Sequence, residues 1–300
     1  MRRAQQSGAA TTMNGIGLEH LRGWIGRTRS DEDVIAARHA RLMAATVGAD
    51  AASIVDGAAL PPLWHWLYFL EGLPPGQLGR DGHAERGGFL PPVPLSNRMW
   101  AGGRIAFIAP VRIGSTVRRR SAILNVAHKH GRSGDLVFVT GLHELSTPQG
   151  APLLREEHDL VYRQPAQGTR PAATETPSNA VAPDGPDGSI SRLTPDSTML
   201  FRYSALTFNG HRIHYDADYS REVEGYPGLV IHGPLVATLL AAHAERIGGR
   251  TLRRYDYRCL APAFLGDTIA LHAQVVADRA TLRASLPDGA LSVGAEAWFA

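Results

Sequence analysis

Hydrophobic and polar positions alternate in several short runs of the chain, and the runs fall into two sets. In Ala270 to Val276, Leu271, Ala273 and Val275 face one way and His272 and Gln274 the other, the two-residue period of a half-buried strand. Thr281 to Leu286 and Leu291 to Phe299 follow as further strands. The earlier set is Arg118 to Val126, Leu136 to Leu145 and Glu157 to Tyr162. Ahead of each set lies one apolar stretch with helix punctuation: Pro61-Pro62 opens Leu63 to Leu70 and Gly72 closes it, while Pro234 opens a run through Ile247 that Gly248-Gly249 closes. Proline suits the first turn, where its missing N–H is not needed, and glycine suits the stop. A helix is predicted at each place.

A repeat ties the two sets together. Ala109-Pro110-Val111-Arg112-Ile113-Gly114-Ser115-Thr116-Val117 matches Ala261-Pro262-Ala263-Phe264-Leu265-Gly266-Asp267-Thr268-Ile269, most positions agreeing in type at one constant offset. Two copies of a unit made of an apolar helix and several antiparallel strands predict an α+β fold in which a sheet wraps a buried helix twice over. That is a double hot-dog, with two antiparallel sheets each wrapped around a central helix. Residues 165–197 are rich in Pro, Ala, Thr, Ser, Gly and Asp without apolar periodicity and read as a solvated linker between units at 51–164 and 198–300. Residues 1–50 read as a helical lead-in, on the patterns Leu18, Leu21, Trp24, Ile25 and Val34, Ala37, Leu42, Ala45, with the first thirteen residues as a frayed start.

Composition removes several function classes. The 31 basic against 28 acidic side chains leave a net charge of only +3, and they are scattered, so nucleic acid is not an expected partner. Arg118-Arg119-Arg120 and Arg253-Arg254 read as solvated faces. The longest apolar stretch, Gly228 to Ala244, is broken by His232 and His243 and falls short of the roughly 20 residues of a membrane span, so no membrane partner is expected. The one cysteine, Cys259, excludes an internal disulfide and a multi-cysteine zinc site and fits a reducing cytoplasm.

The segment carrying chemistry is Phe208-Asn209-Gly210-His211-Arg212-Ile213-His214-Tyr215-Asp216, followed by Gly225-Tyr226-Pro227-Gly228 and by Ile231-His232-Gly233-Pro234. It resembles the MaoC-like, or R-specific enoyl-CoA hydratase, family, whose motif Asp-x-Asn-x-x-His precedes a His-Gly at the start of the central helix. Aligned on His214, the motif's Asp falls on Asn209 and its Asn on His211. The likeness spans nearly the whole chain, since Arg98-Met99-Trp100-Ala101-Gly102-Gly103 looks like the companion domain of two-hot-dog members. Among these the altered Phe-Asn-x-His-Arg-Ile-His form is similar to the mesaconyl-C4-CoA or itaconyl-CoA hydratase group and to mitochondrial-type 3-hydroxyacyl thioester dehydratases. The resemblance implies a hydro-lyase acting on an enoyl or 3-hydroxyacyl thioester. It puts His214, Asn209 and Gly233 in the catalytic set and His211, Arg212, Tyr215, Tyr226 and His232 around the substrate.

Physical chemistry supports that reading independently. Hydrating an enoyl thioester needs a group that takes a proton from water and returns it, and histidine titrates close enough to neutrality for both, hence His214. The enolate oxygen needs donors, and Gly233 precedes a helix whose first N–H groups are prepolarised for negative charge. Asn209 can hold water but cannot take its proton, so the expected pH profile is that of a single base titrating near histidine, and Asp216 is read as orienting the His214 ring. Plainer roles compete: a turn or cap for Asn209, helix entry for Gly233, core for Trp64, Trp66, Tyr68 and Phe69. His211 and His214 could share a metal, but no further clustered ligand is visible in the sequence, and no metal is expected. No cofactor is expected, coenzyme A being part of the substrate.

The first half has no counterpart of the Asn209, His211, His214 set, so one active site per chain is expected, with the first half shaping the acyl pocket. The leading substrate is a short branched dicarboxylyl-CoA, whose free carboxylate would call for a cation such as Arg212 or Arg98. The alternatives are a dehydratase of 3-hydroxyacyl chains on acyl carrier protein or CoA, an acyl-CoA thioesterase, and a non-catalytic acyl-thioester-binding module. The expected partner is thus an acyl-CoA or acyl-ACP, and a homodimer is compatible with the sequence.

Overall fold

The structure is a computed structural model that describes residues 12–13, 16–131, 134–164, 178–184 and 189–300. The sequence repeat is also a repeat of hydrogen bonds. Ile113 N donates to Ala58 O (2.9 Å) and Leu60 N to Val111 O (2.8 Å); in the second half Leu265 N donates to Leu229 O (2.9 Å) and Ile231 N to Ala263 O (2.8 Å). Both turns need a left-handed residue, supplied by Gly114 (φ +86°) and Gly266 (φ +96°).

The strands are β1 (Thr12–Met13), β2 (Ile16–Gly17), β3 (Thr28–Val34), β4 (Asn97–Phe107), β5 (Thr116–Gly131), β6 (Gly134–Ser146), β7 (Pro152–Arg163), β8 (Ser178–Asp184), β9 (Ile190–Thr194), β10 (Leu252–Cys259), β11 (Ile269–Val276), β12 (Arg279–Ser285) and β13 (Leu291–Phe299). The helices are α1 (Leu18–Arg22), α2 (Ala37–Val47), α3 (Ser197–Leu206) and α4 (Gly233–Gly248). Among the described residues, apart from the β1–β2 pair, the strands form one 11-stranded sheet in the order β3-β5-β6-β7-β4-β10-β13-β12-β11-β9-β8. Read outward from the antiparallel β4–β10 pair, the two sides have matching order, so the two hot-dog sheets are joined edge to edge. No unpaired edge is left at the junction. Among the described residues no helix is long and apolar enough to cross a membrane.

In the second half, α4 runs as its punctuation predicts, with Pro234 in the first turn and Gly249 left-handed (φ 63°) at the stop. Leu235, Val236, Leu239, Leu240 and Ala244 are buried on it, against β10 to β13. The first half differs. Leu63 to Leu70 contains only a 3-10 turn, Trp64–Leu67, in place of the predicted helix. A run of eight residues is too short to stand as an isolated helix, and aromatic residues are mediocre helix formers. Tertiary bonds then decide its shape: Tyr68 Oη donates to Ala36 O, Phe69 N to Asp33 Oδ2 and Trp66 Nε1 to Glu156 Oε1. Where the second half is filled by α4, the first keeps a cavity of about 700 Å³.

Three other expectations need correction. The lead-in is not wholly helical, because Thr28–Val34 pairs with β5 as the outermost strand on that side. Helix α2 buries Ala40, Met43 and Ala44, whereas Val34 and Leu42 of the expected apolar pattern are each 50% exposed; the buried side faces α3, where His39 Nε2 meets Leu206 O at 2.8 Å. The segment read as linker contributes β8 and β9, and Ile190 to Leu193 pairs with β11, whose open edge needs a partner. Residues 165–177 and 185–188 of that segment, and the first eleven residues of the expected frayed start, lie outside the described residues.

Candidate active site

The motif segment leaves α3, which starts on a cap, Asp196 Oδ1 accepting from Met199 N at 2.7 Å. The chain turns sharply at Phe208 (φ 48°), and Asn209 Oδ1 accepts from His211 N at 3.0 Å, an Asx turn that leads into the 3-10 turn Arg212–His214. Val230 then bridges to Phe264, donates from its N to Ile213 O (2.9 Å) and accepts at its carbonyl from His214 Nδ1 (2.7 Å). A carbonyl only accepts, so the His214 proton sits on Nδ1 and Nε2 keeps its lone pair. Nε2 has no protein partner among the described residues.

His214 is 7% exposed and its ring stacks on that of His232 at 3.6 Å, 19° from parallel, while His211 meets it edge-on at 5.5 Å. Burial first, then the fields of His232 and His211, hold the His214 pKa well below the ordinary histidine value. The imidazole is therefore a neutral base at pH 7. His232 is fully buried, its Nε2 paired with Ser204 Oγ at 2.8 Å, and burial followed by His211 lowers its pKa to about 3. It lines neither the cavity of about 700 Å³ nor a smaller one that lies over His214. Its place is under the His214 ring, where the two rings stack.

A cavity of about 140 Å³ lies over His214, bounded by Asn209, His211, Tyr226, Gly233 and Arg98 among others. Arg98, Trp100, His83 and Asn209 also line the larger cavity, so the two spaces share walls. Gly233 is the first residue of α4 and is followed by Pro234, so its N–H is one of the donors that helical bonding leaves free. Tyr226 borders the small cavity, and burial raises its hydroxyl pKa.

Arg212 and Tyr215 do not border either space. The 3-10 turn points them outward: Arg212 pairs with Asp216 at 2.7 Å and lies over Tyr219 at 4.2 Å, and Tyr215 is 51% exposed, donating to Gly210 O. Asp216 is thereby engaged with Arg212, and the group that orients His214 is the Val230 carbonyl. Arg119, read as part of a solvated run, turns inward to the larger cavity, because strand alternation sets it opposite Arg118 and Arg120, and it bonds Asp31 and Phe69 O.

The larger cavity holds a polar group that the sequence did not advertise. Glu156 is 2% exposed and bonds His65 Nε2 (2.9 Å) and Trp66 Nε1 (3.0 Å). Burial alone would push its pKa up, but the His65 bond and the surrounding histidines outweigh it and hold it at about 2. His158 stacks on Trp100 at 3.8 Å with Nε2 buried and unbonded, and burial lowers the pKa of His143 to about 3.

The sequence reading also missed Asp81 and His83. They are brought to the motif by two glycines in backbone contact: a Cβ on Gly82 (φ +85°) would overlap Gly210 O, and one on Gly210 would lie 2.5 Å from Gly82 O. Arg212 N donates to Asp81 O at 3.0 Å. The rings of His83 and His211 then lie 4.5 Å apart, and Asp81, His83 and His211 offer ligand atoms within 4.8 Å of one another, the one set among the described residues that could hold a metal ion. Asp-Gly-His at 81–83 is a turn pattern, and nothing in it announces a neighbour so far along the chain.

Known proteins share this architecture. A MaoC-like dehydratase from Phytophthora capsici superposes with a TM-score of 0.67 at 14% identity, covering 95% of this chain and 98% of its own, a likeness of fold. In sequence, the chain is 44% identical over 272 residues to mesaconyl-C(4)-CoA hydratase of Chloroflexus aurantiacus, covering 91% of this chain and 95% of the relative. It is 26% identical over 231 residues to the mitochondrial hydroxyacyl-thioester dehydratase type 2 of Schizosaccharomyces pombe, covering 71% and 77%. The family model for hydroxyacyl-thioester dehydratase type 2 matches residues 63–265, more than half of the chain and all of the motif segment, and the chain belongs to that MaoC-like hot-dog family of hydro-lyases.

Proposed function

We propose that this chain reversibly hydrates the double bond of a short branched dicarboxylyl thioester, mesaconyl-C4-CoA or itaconyl-CoA, giving citramalyl-CoA. The observation that carries the chemistry is His214: buried, neutral, pinned through Nδ1 and open at Nε2, at a cavity whose wall includes the start of α4. For mesaconyl-C4-CoA, Nε2 takes a proton from water as the oxygen bonds to C3. The C2–C3 π pair shifts toward the thioester, and the enolate oxygen accepts from Gly233 N–H. The imidazolium then returns the proton to C2. Asn209 offers its Nδ2 donors to the water, its Oδ1 being engaged in the turn.

Arg98 supports the dicarboxylyl substrate. In mesaconyl-C4-CoA the free carboxylate sits on C3, the carbon that water attacks, so its counter-ion must share the His214 cavity. Arg98 does, and it has no ion pair among the described residues, whereas Arg212 is held by Asp216 outside. The 44% identity to mesaconyl-C(4)-CoA hydratase favours the same substrate. The larger cavity, walled by Arg119, His143 and Glu156, is poorly suited to a long alkyl chain, which would strip those polar groups of other partners.

The test measures hydration of mesaconyl-C4-CoA and crotonyl-CoA by mass gain, with released thiol followed in parallel to detect a thioesterase. His214→Ala is expected to lower kcat by about 10²-fold or more. Arg98→Met is expected to lower the mesaconyl to crotonyl ratio of kcat/KM by about 10-fold to 100-fold, the worth of a charge-assisted hydrogen bond. Thiol release without hydration would refute the hydratase reading, and an unchanged ratio would refute the dicarboxylyl one.

A further inference from the structure

His83 belongs to the first half of the chain, yet it lines both cavities and stands 4.5 Å, ring to ring, from His211. It is anchored locally. Asp81 Oδ1 accepts from His83 N at 3.1 Å, and Asp81 Oδ2 faces His83 Nδ1 at 3.3 Å. A carboxylate beside Nδ1 favours the tautomer with the proton there and leaves Nε2 as an acceptor. The loop carrying both residues is fixed to the motif segment by the Gly82–Gly210 backbone contact and by Arg212 N on Asp81 O. Any side chain at position 82 or 210 would separate them.

Water attacking an enoyl thioester has two O–H groups. One proton goes to His214 Nε2; the other stays on the new hydroxyl and needs an acceptor that holds the oxygen toward C3. Asn209 Oδ1 already takes the His211 N–H, which fixes the amide in the turn, and His232 is sealed beneath His214. His211 Nε2 is buried without a hydrogen bond, 3.6 Å from Glu224 Oε1.

We infer that His83, oriented by Asp81, accepts the hydrogen bond from the retained O–H of the attacking water, so that the catalytic constellation is completed by a residue of the non-motif half. The inference rests on the hydratase reading above and adds a second histidine to it. The proton taken by His214 still goes to C2 and the one facing His83 leaves with the product hydroxyl, so no further acid or base is required. It also accounts for the tight glycine docking, which brings a loop of one half to the motif of the other.

The test compares His83→Ala, His83→Gln and His83→Asn with the wild type on crotonyl-CoA and mesaconyl-C4-CoA. A glutamine oxygen reaches about as far as Nε2, whereas an asparagine oxygen reaches only as far as Nδ1. The expected result is a kcat loss of about 10²-fold in the alanine and asparagine variants, with KM changed by less than about threefold, and recovery to within about tenfold of wild type in the glutamine variant. Should the alanine variant fail to fold, the Gln against Asn contrast decides. Equal activity of Gln and Asn, or an alanine variant with wild-type kcat, overturns the assignment while leaving the hydratase reading intact. So does loss of wild-type activity in EDTA restored by zinc, which would make Asp81, His83 and His211 a metal site. A wild type that hydrates neither thioester overturns both.

Discussion

Replacing Gly233 by alanine tests the start of α4 at the level of single contacts. A methyl there would sit 2.9 Å from Cys259 Sγ and 3.7 Å from Cys259 Cβ. The first distance is too short for carbon and sulfur, so either the helix start or the cysteine must move; the second is ordinary contact. Overpacking of this kind costs about 1–3 kcal/mol. Against it stands the gain from replacing glycine in a helix, at most about 1 kcal/mol and smaller at the first position. Gly233→Ala alone should therefore lose about 1–2 kcal/mol. In a Cys259→Ala background the sulfur is gone, and the same change should be neutral or slightly stabilising, giving a coupling energy of about 1–3 kcal/mol between the two sites. Function should follow geometry. Loss of one oxyanion donor costs about 10²–10³ in kcat, and a displaced donor should cost at least tenfold, restored in large part in the double variant. Urea unfolding and crotonyl-CoA hydration on all four proteins measure both. Equal cost of Gly233→Ala in the two backgrounds would show that Cys259 is not the limiting contact. A stability loss with unchanged kcat would remove the Gly233 N–H from the mechanism.

Acid should weaken the fold before it touches the base. His214 and His232 are buried with pKa values depressed, that of His232 to about 3, while unfolded histidine titrates near 6.5. Above that value both states are neutral and stability is flat. Below it the unfolded chain binds protons that the folded chain refuses, so stability falls with falling pH, on the order of 1.4 kcal/mol per unit per histidine. Urea midpoints from pH 7 to 4 should show this, with a shallower slope for His232→Gln. The plateau of kcat/KM for hydration should reach below pH 6.5; a limb at or above it would show that His214 titrates as an ordinary histidine. Glu156→Ala should cost about 3–5 kcal/mol, because it strands His65 and the Trp66 N–H around a buried site, whereas Glu156→Gln keeps an acceptor and should cost less. A urea series placing the alanine variant within about 0.5 kcal/mol of wild type would refute that account.

The sequence by itself determined what is local. The paired turns at Gly114 and Gly266 were legible as a repeat because each needs a left-handed glycine between an apolar approach and an alternating strand. Helix α4 was legible from Pro234 and Gly249, and His214 with Gly233 from a motif whose members are near neighbours in the chain. Tertiary structure decided whatever depends on partners far along the chain. Leu63 to Leu70 has the punctuation of a helix, yet bonds to Ala36, Asp33 and Glu156 hold it as a single turn and leave a cavity where the second half has α4. Ile190 to Thr194 reads as part of a linker but is a strand, because β11 presents unpaired backbone groups beside it. Asp216 lies two places from His214 in the chain, but a 3-10 turn aims it at Arg212 and leaves the orienting of His214 to a carbonyl, a group that every residue has and no sequence can mark. Asp81 and His83 reach the site only through two glycine backbones packed together across the two halves, a contact set by shape and invisible to any reading of periodicity or spacing.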